Sequence, residues 1–188
     1  MMIRLPALQE AGVSKGVIGR YAGFALLVLC VLLVDQASKM MVRRLLPYGG
    51  FWLPLPSWPW LRIVHWSNTG IAFGLFPEGG VLFAVLASLV LLVLLRRLPV
   101  LLTTGNWQTT VSVALIFGGA LGNLADRLHL GQVVDFIAVG AFPVFNLADA
   151  AITLGAGLLF LDLWREEHLG GEDTAPHSET VPPGQEEQ

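Results

Sequence analysis

Acidic side chains are scarce among the long apolar runs of this chain, yet three of them fall in Gly118–Asp149, which reads GGALGNLADRLHLGQVVDFIAVGAFPVFNLAD. Asp126 lies at the end of one hydrophobic segment, Asp135 in the connection that follows, and Asp149 at the start of the next. That spacing lets three carboxylates meet at one membrane depth, where an ionisable group is costly and marks a functional site by default. Two carboxylates that share a proton suffice for hydrolysis without a metal or a covalent nucleophile. Close negative charges cannot both ionise, so the ionised member takes a proton from water and the protonated member donates one.

Other hydrolytic chemistries find little in the sequence. His65, His129, His168 and His177 have no HExxH-like spacing, and two of them lie in the tail, so no metal or other cofactor is expected. There is no GxSxG serine. The one cysteine, Cys30, sits in an apolar run as a lipid-facing or packing residue. Further polar residues collect with the acids at one end of the apolar segments: Asp35 and Lys39 on the first, Asn123 and Arg127 on the third, Asn146 on the fourth. Asn123, Asp126 and Arg127 share a helical face, as do Asn146 and Asp149, and Asp35 with Lys39. Capping by Asn146 and Asp149, or an ion pair between Asp126 and Arg127, accounts for any one of these residues. It does not account for Asp135, whose apolar neighbours in VVDFI point to a short strand or buried turn at the membrane edge.

The elements that must position these groups are membrane spans. The 188 residues are 54% hydrophobic and 13% charged, with mean hydropathy +0.66, which excludes an ordinary soluble domain. Seven of the fourteen acids follow Arg165, so the net charge of -3 comes from a tail and the apolar body is slightly basic. No nucleic-acid partner is expected; phospholipids are.

Residues 1–20 form a short polar entry before the uncharged run Tyr21–Val34. A signal peptide would need a small-residue cleavage site, and Asp35, Gln36, Ala37, Ser38 and Lys39 follow instead. Fourteen helical residues rise only about 21 Å against a hydrocarbon core of about 30 Å, so the first span must include Asp35 and Lys39 near one end. The connection of residues 45–77 holds five prolines, Pro47, Pro54, Pro56, Pro59 and Pro77, and four of the six tryptophans, Trp52, Trp58, Trp60 and Trp66, a composition suited to the headgroup region. Within it LRIVHWSN, from Leu61, reads as a strand, so a small sheet on the membrane surface is expected, with a strandless aromatic loop as the alternative. The second span is expected at Gly79–Leu95, stopped by Arg96 and Arg97, the third at Trp107–Ala125 and the fourth at Leu147–Trp164. Gly118 and Gly122, and Gly155 and Gly157, allow close helix approach. Four spans place both termini on one side; six Lys and Arg lie with the termini and five opposite, which favours cytoplasmic termini. Residues 165–188 are too rich in Glu, Gly and Pro to fold. The expected organisation is therefore an N-terminal segment 1–20, a four-helix membrane domain 21–164 and an acidic tail.

Over about Tyr21 to Trp164 the chain resembles the bacterial signal peptidase II family. DQASK (Asp35–Lys39), NTGIAFG (Asn68–Gly74), GGALGNLADR (Gly118–Arg127), VVDFI (Val133–Ile137) and FNLADAAI (Phe145–Ile152) occur in the order of that family's motifs. The resemblance implies a four-helix aspartyl protease of the bacterial inner membrane, with cytoplasmic termini and an extracytoplasmic sheet that cradles the substrate. Its implied activity is removal of the signal peptide of a prolipoprotein, by cleavage before the diacylglyceryl-modified cysteine. It further implies Asp135 and Asp149 as the catalytic pair. Asn68, Gly70, Asn123, Asp126, Arg127 and Asn146 become supporting or substrate-binding positions, and Asp35 and Lys39 structural ones. Ser67 stands where the family often has a charged residue. A monomer is expected, since packing within one chain explains the glycine faces. A proton relay would use the same acids but should spread them over several depths, and only Asp162 lies near the other end. A non-catalytic membrane scaffold is the third reading.

Overall fold

A computed structural model describes residues 15–69 and 80–169. Gly70, residues 1–14 and the tail beyond 169 lie outside the described residues. Four helices, α1 (Lys15–Leu45), α2 (Gly80–Thr104), α3 (Trp107–Leu130) and α4 (Leu147–Leu169), are each long and apolar enough to cross a membrane. Three strands complete the described fold: β1 (Phe51–Trp52), β2 (Leu61–Asn68) and β3 (Val133–Val139), antiparallel in the order β1-β2-β3.

The end-to-end contacts fix an up-and-down bundle. Near the start of α1, Arg20 donates to the carbonyls of Leu102 and Gly105 at the end of α2. Asp162, late in α4, accepts from Asn106 at 2.7 Å and from the Thr109 hydroxyl at 2.6 Å, both at the start of α3. At the opposite end Lys39 of α1 reaches Asn123 of α3, and Asp35 reaches the first turn of α4. The sheet lies at this second end, entered from α1 and returning to α4.

Helix α3 is the centre of the bundle and packs against α1, α2, α4 and β3. Half of its membrane window is buried, against 11% for α1 and for α2, and its small residues explain why. A Cβ on Gly118 would meet Val28 and Val31 of α1, one on Gly119 the carbonyl of Ala148 and the side chain of Ile152 in α4. Gly155 likewise faces Ser112, Leu115 and Ile116, whereas Gly157 faces open space, so of that pair only Gly155 makes a close approach. Gly131, in the left-handed conformation at φ 72°, ends α3 with its N–H on the Arg127 carbonyl and turns the chain into β3.

Three helices outrun their expected ends. Helix α2 continues through Arg96, Arg97 and Pro99 to Thr104, because Leu98 and Leu102, one turn apart, are buried against Phe24, Val113 and Ala114. Burial of that apolar pair outweighs the one helical hydrogen bond that proline removes. Helices α3 and α4 extend five residues beyond Ala125 and Trp164 to Leu130 and Leu169. The sheet is the one expected: β2 is LRIVHWSN itself, and VVDFI is a strand rather than a turn. Trp52, Trp58, Trp60 and Trp66 stand exposed around it, with Trp58 stacked on Trp60 at 5.2 Å between centroids.

Candidate active site

Asp135, the third residue of β3, is 2% exposed and lies opposite Trp66 in the β2–β3 pairing. Its Oδ2 accepts from the Asn68 side chain at 3.0 Å and its Oδ1 from the Asn146 side chain at 2.7 Å. Asp149 occupies the first turn of α4. Its Oδ1 accepts from the Asn123 side chain at 2.7 Å and its Oδ2 from the Asn146 backbone N–H at 3.3 Å. Asn146 Oδ1 in turn accepts the Asp149 N–H at 2.9 Å, a reciprocal cap on α4. Capping and site building therefore share one residue: Asn146 caps the helix with its Oδ1 and, with its side-chain amide, holds Asp135 beside Asp149.

Electrostatics separates Asp135 from an ordinary surface acid. Burial pushes its carboxyl up to about 6; the Asn68 and Asn146 donors and the Lys39 charge work against that rise, while the Asp149 charge adds to it. Such a carboxyl can hold or release a proton near neutrality.

Behind the two aspartates lies a second polar group. Lys39, 2% exposed, is paired with Asp35 at 2.8 Å and Asp126 at 3.0 Å, and donates to Asn123 Oδ1 at 2.9 Å. Asn123 thus joins Lys39 to Asp149, and it also accepts from Asn146 at 3.2 Å. The partner of Asp126 is Lys39 and not its neighbour Arg127. Arg127 points toward α2, where its guanidinium lies 5.7 Å from the centre of the Phe83 ring, within electrostatic range of Asp149, Asp135 and Asp126.

The bundle end thus gathers Asp35, Lys39, Asn68, Asn123, Asp126, Arg127, Asp135, Asn146 and Asp149 from five separate stretches of sequence. Sequence reasoning passed over Gln36, whose amide lies 2.9 Å from Asp126, 3.1 Å from the Gly122 carbonyl and 3.2 Å from Asp35. A third polar side chain between Asp35 and Lys39 on an apolar helix was the signal available.

Two apolar clefts open toward the sheet end of the bundle, neither of them lined by Asp135 or Asp149. One of about 500 Å³ lies between α2 and the end of α3, lined by Val81, Val85, Leu89 and Arg127. The other, about 610 Å³, lies between the end of α1 and the sheet, lined by Val42, Phe51, Trp52, Ile63 and Phe136.

Four spanning helices with a pair of hydrogen-bonded carboxylates at one end, under a small sheet, define a multi-pass membrane enzyme. Comparison with known proteins narrows the class. A solved bacterial membrane enzyme, determined by the in meso method at 2.3 Å resolution, superposes with a TM-score of 0.72 at 29% identity, over 80% of this chain and 93% of that one. Lipoprotein signal peptidase of Halothermothrix orenii is 39% identical over 145 residues, 77% of this chain and 97% of the relative. That of Pseudomonas fluorescens is 40% identical over 157 residues, 79% and 91%. The family model described as signal peptidase (SPase) II matches residues 27–165. The chain belongs to the signal peptidase II family, and is a membrane peptidase.

Proposed function

We propose that this chain removes the signal peptide of diacylglyceryl-modified prolipoproteins by cleaving before the lipidated cysteine, with Asp135 and Asp149 as an aspartyl dyad. The single observation that carries the reading is Asn146, which grips both carboxylates and so holds them as a pair. The dyad shares one proton. Its ionised member takes a proton from a water molecule whose oxygen attacks the scissile carbonyl, and its protonated member gives its proton to the carbonyl oxygen. Collapse of the tetrahedral intermediate returns a proton to the departing amine. The proton belongs to the pair, and no fixed acid or base is assigned.

The surroundings support the substrate class. Acyl chains stay in the bilayer, and both apolar clefts toward the sheet end of the bundle have linings suited to them. The backbone of the peptide would be held by Asn68, Gly70 and Arg127, with Asn123, Asp126 and Asn146 supporting the dyad, and phospholipids would surround the helices. The exposed tryptophans at the sheet end support a dyad at a membrane interface. With the charge bias of the loops, that interface is the extracytoplasmic face of a bacterial inner membrane, with segment 1–20 and the tail 165–188 in the cytoplasm around a peptidase domain of residues 21–164. A monomer fits this reading, because packing within the chain accounts for the close approaches of Gly118, Gly119 and Gly155.

The test is cleavage of a diacylglyceryl-modified prolipoprotein and of its unlipidated form by the purified full chain in lipid nanodiscs. Cleavage confined to the lipidated form is expected. Equal cleavage of both would remove the lipid from the recognition chemistry.

A further inference from the structure

Two carboxylates outside the dyad each hold a backbone N–H, and the positions of those N–H groups are informative. Asp35 Oδ1 accepts from Ala148 at 3.0 Å, the residue immediately before Asp149. Asp126 Oδ2 accepts from Val134 at 3.1 Å, the residue immediately before Asp135. Lys39 lies between the two acids, and Gln36 donates to both. Asp35, Lys39 and Asp126 are all at most 3% exposed. A buried lysine with two buried carboxylates is a costly way to hold helices together, since apolar residues of similar volume are often as stabilising. Ala148 is in the first turn of α4, where an N–H has no helical partner, so a carboxylate there sets the rotation and depth of the helix start.

We propose that Asp35, Lys39 and Asp126 form a positioning clamp for the dyad: each acid fixes the backbone one residue before one catalytic aspartate, and Lys39 locks the two acids together. The spacing between Asp135 and Asp149 is thereby set from α1 and α3, elements that carry neither residue. The Lys39–Asn123–Asp149 chain ties the same clamp to the Asp149 side chain. Gly122 belongs to the clamp as well, because a Cβ there would lie 2.5 Å from Asp35 Oδ2. The inference rests on the dyad reading above.

The test combines kinetics with amide spectroscopy on the full chain in nanodiscs. With ¹⁵N-labelled alanine and valine, Asp35→Asn should move the Ala148 amide resonance and leave Val134 in place; Asp126→Asn should do the reverse. In cleavage of a diacylglyceryl-modified prolipoprotein, Asp35→Ala and Asp126→Ala should lose ~100-fold in kcat per folded molecule, with KM little changed. The Asn variants keep an acceptor for the N–H and should recover most of that loss. Amides that do not move in the Asn variants, or folded Ala variants with wild-type kcat, would overturn the clamp. Equal losses for Ala and Asn would do so too. Should the Ala variants not fold, the amide shifts and kinetics of the Asn variants decide alone. Asp135→Asn and Asp149→Asn belong in the same assay: activity there sinks the dyad itself, whereas dead dyad variants beside unaffected Asp35 and Asp126 variants sink only the clamp.

Discussion

The Asn146 side-chain amide donates to Asp135 Oδ1 over 2.7 Å, while the same residue's backbone N–H and Oδ1 engage Asp149. One residue therefore caps α4 and, through its side-chain amide and its backbone N–H, joins two carboxylates that come from different elements. Asn146→Ala should lower kcat by ~100-fold through the loosened pair, and lower stability by roughly 3 kcal/mol, since the cap and the buried bonds to Asp135 and Asn123 are lost together. Single-turnover cleavage and thermal unfolding of the same sample separate the two effects.

Asp135 gives a pH signature in stability. Its folded-state value is raised from 3.8 to about 6, so the folded chain holds this proton more tightly than the unfolded chain. Stability therefore falls as pH rises from near the unfolded value through the folded one, and levels off above it. Relative to Asp135→Asn, which does not titrate, the wild type should lose roughly 3 kcal/mol between about pH 4 and pH 7. Unfolding in lipid nanodiscs as a function of pH checks the sign; parallel curves would contradict it.

On the proposed dyad, the same group should shape the rate. A dyad active with one proton gives a bell-shaped kcat/KM, and loss of that proton forms the alkaline limb. The Asn68 donor favours the ionised form of Asp135. Asn68→Ala should therefore raise the Asp135 value and move the alkaline limb to higher pH, at a lower maximum rate. A limb that moves the other way, or not at all, would place the titrating proton elsewhere.

Much of this site is legible in the sequence because membranes make polar residues expensive. Asp126, Asp135 and Asp149 stand out against apolar runs, and helical spacing alone pairs Asn146 with Asp149. The strand LRIVHWSN is equally plain from its β-branched and aromatic content. What the sequence hides is partnership across elements. Asp126 and Arg127 are adjacent and of opposite charge, yet Asp126 pairs with Lys39, eighty-seven positions away, because α1 and α3 run side by side with their polar ends level. The end of α2 is hidden for a similar reason: Arg96, Arg97 and Pro99 read as a stop until Leu98 and Leu102 find a core.

Asp162 separates a peptidase from a proton relay. It sits at the opposite end of the bundle from Asp135 and Asp149 and holds Asn106 and Thr109 at the start of α3. Asp162→Asn should leave kcat within about twofold while lowering the unfolding temperature, as loss of a charged hydrogen-bond acceptor does. A large loss of cleavage at unchanged stability would instead tie the far end to the chemistry.

The central claim is that Asp135 and Asp149 act together, and the most direct measurement is cleavage of a diacylglyceryl-modified prolipoprotein by Asp135→Asn and Asp149→Asn at matched folded amounts. Each substitution leaves the side chain's size and removes one carboxylate of the pair, so each should abolish detectable turnover, a loss of at least ~1,000-fold. A folded variant of either residue that retains turnover within about tenfold of wild type would contradict the dyad.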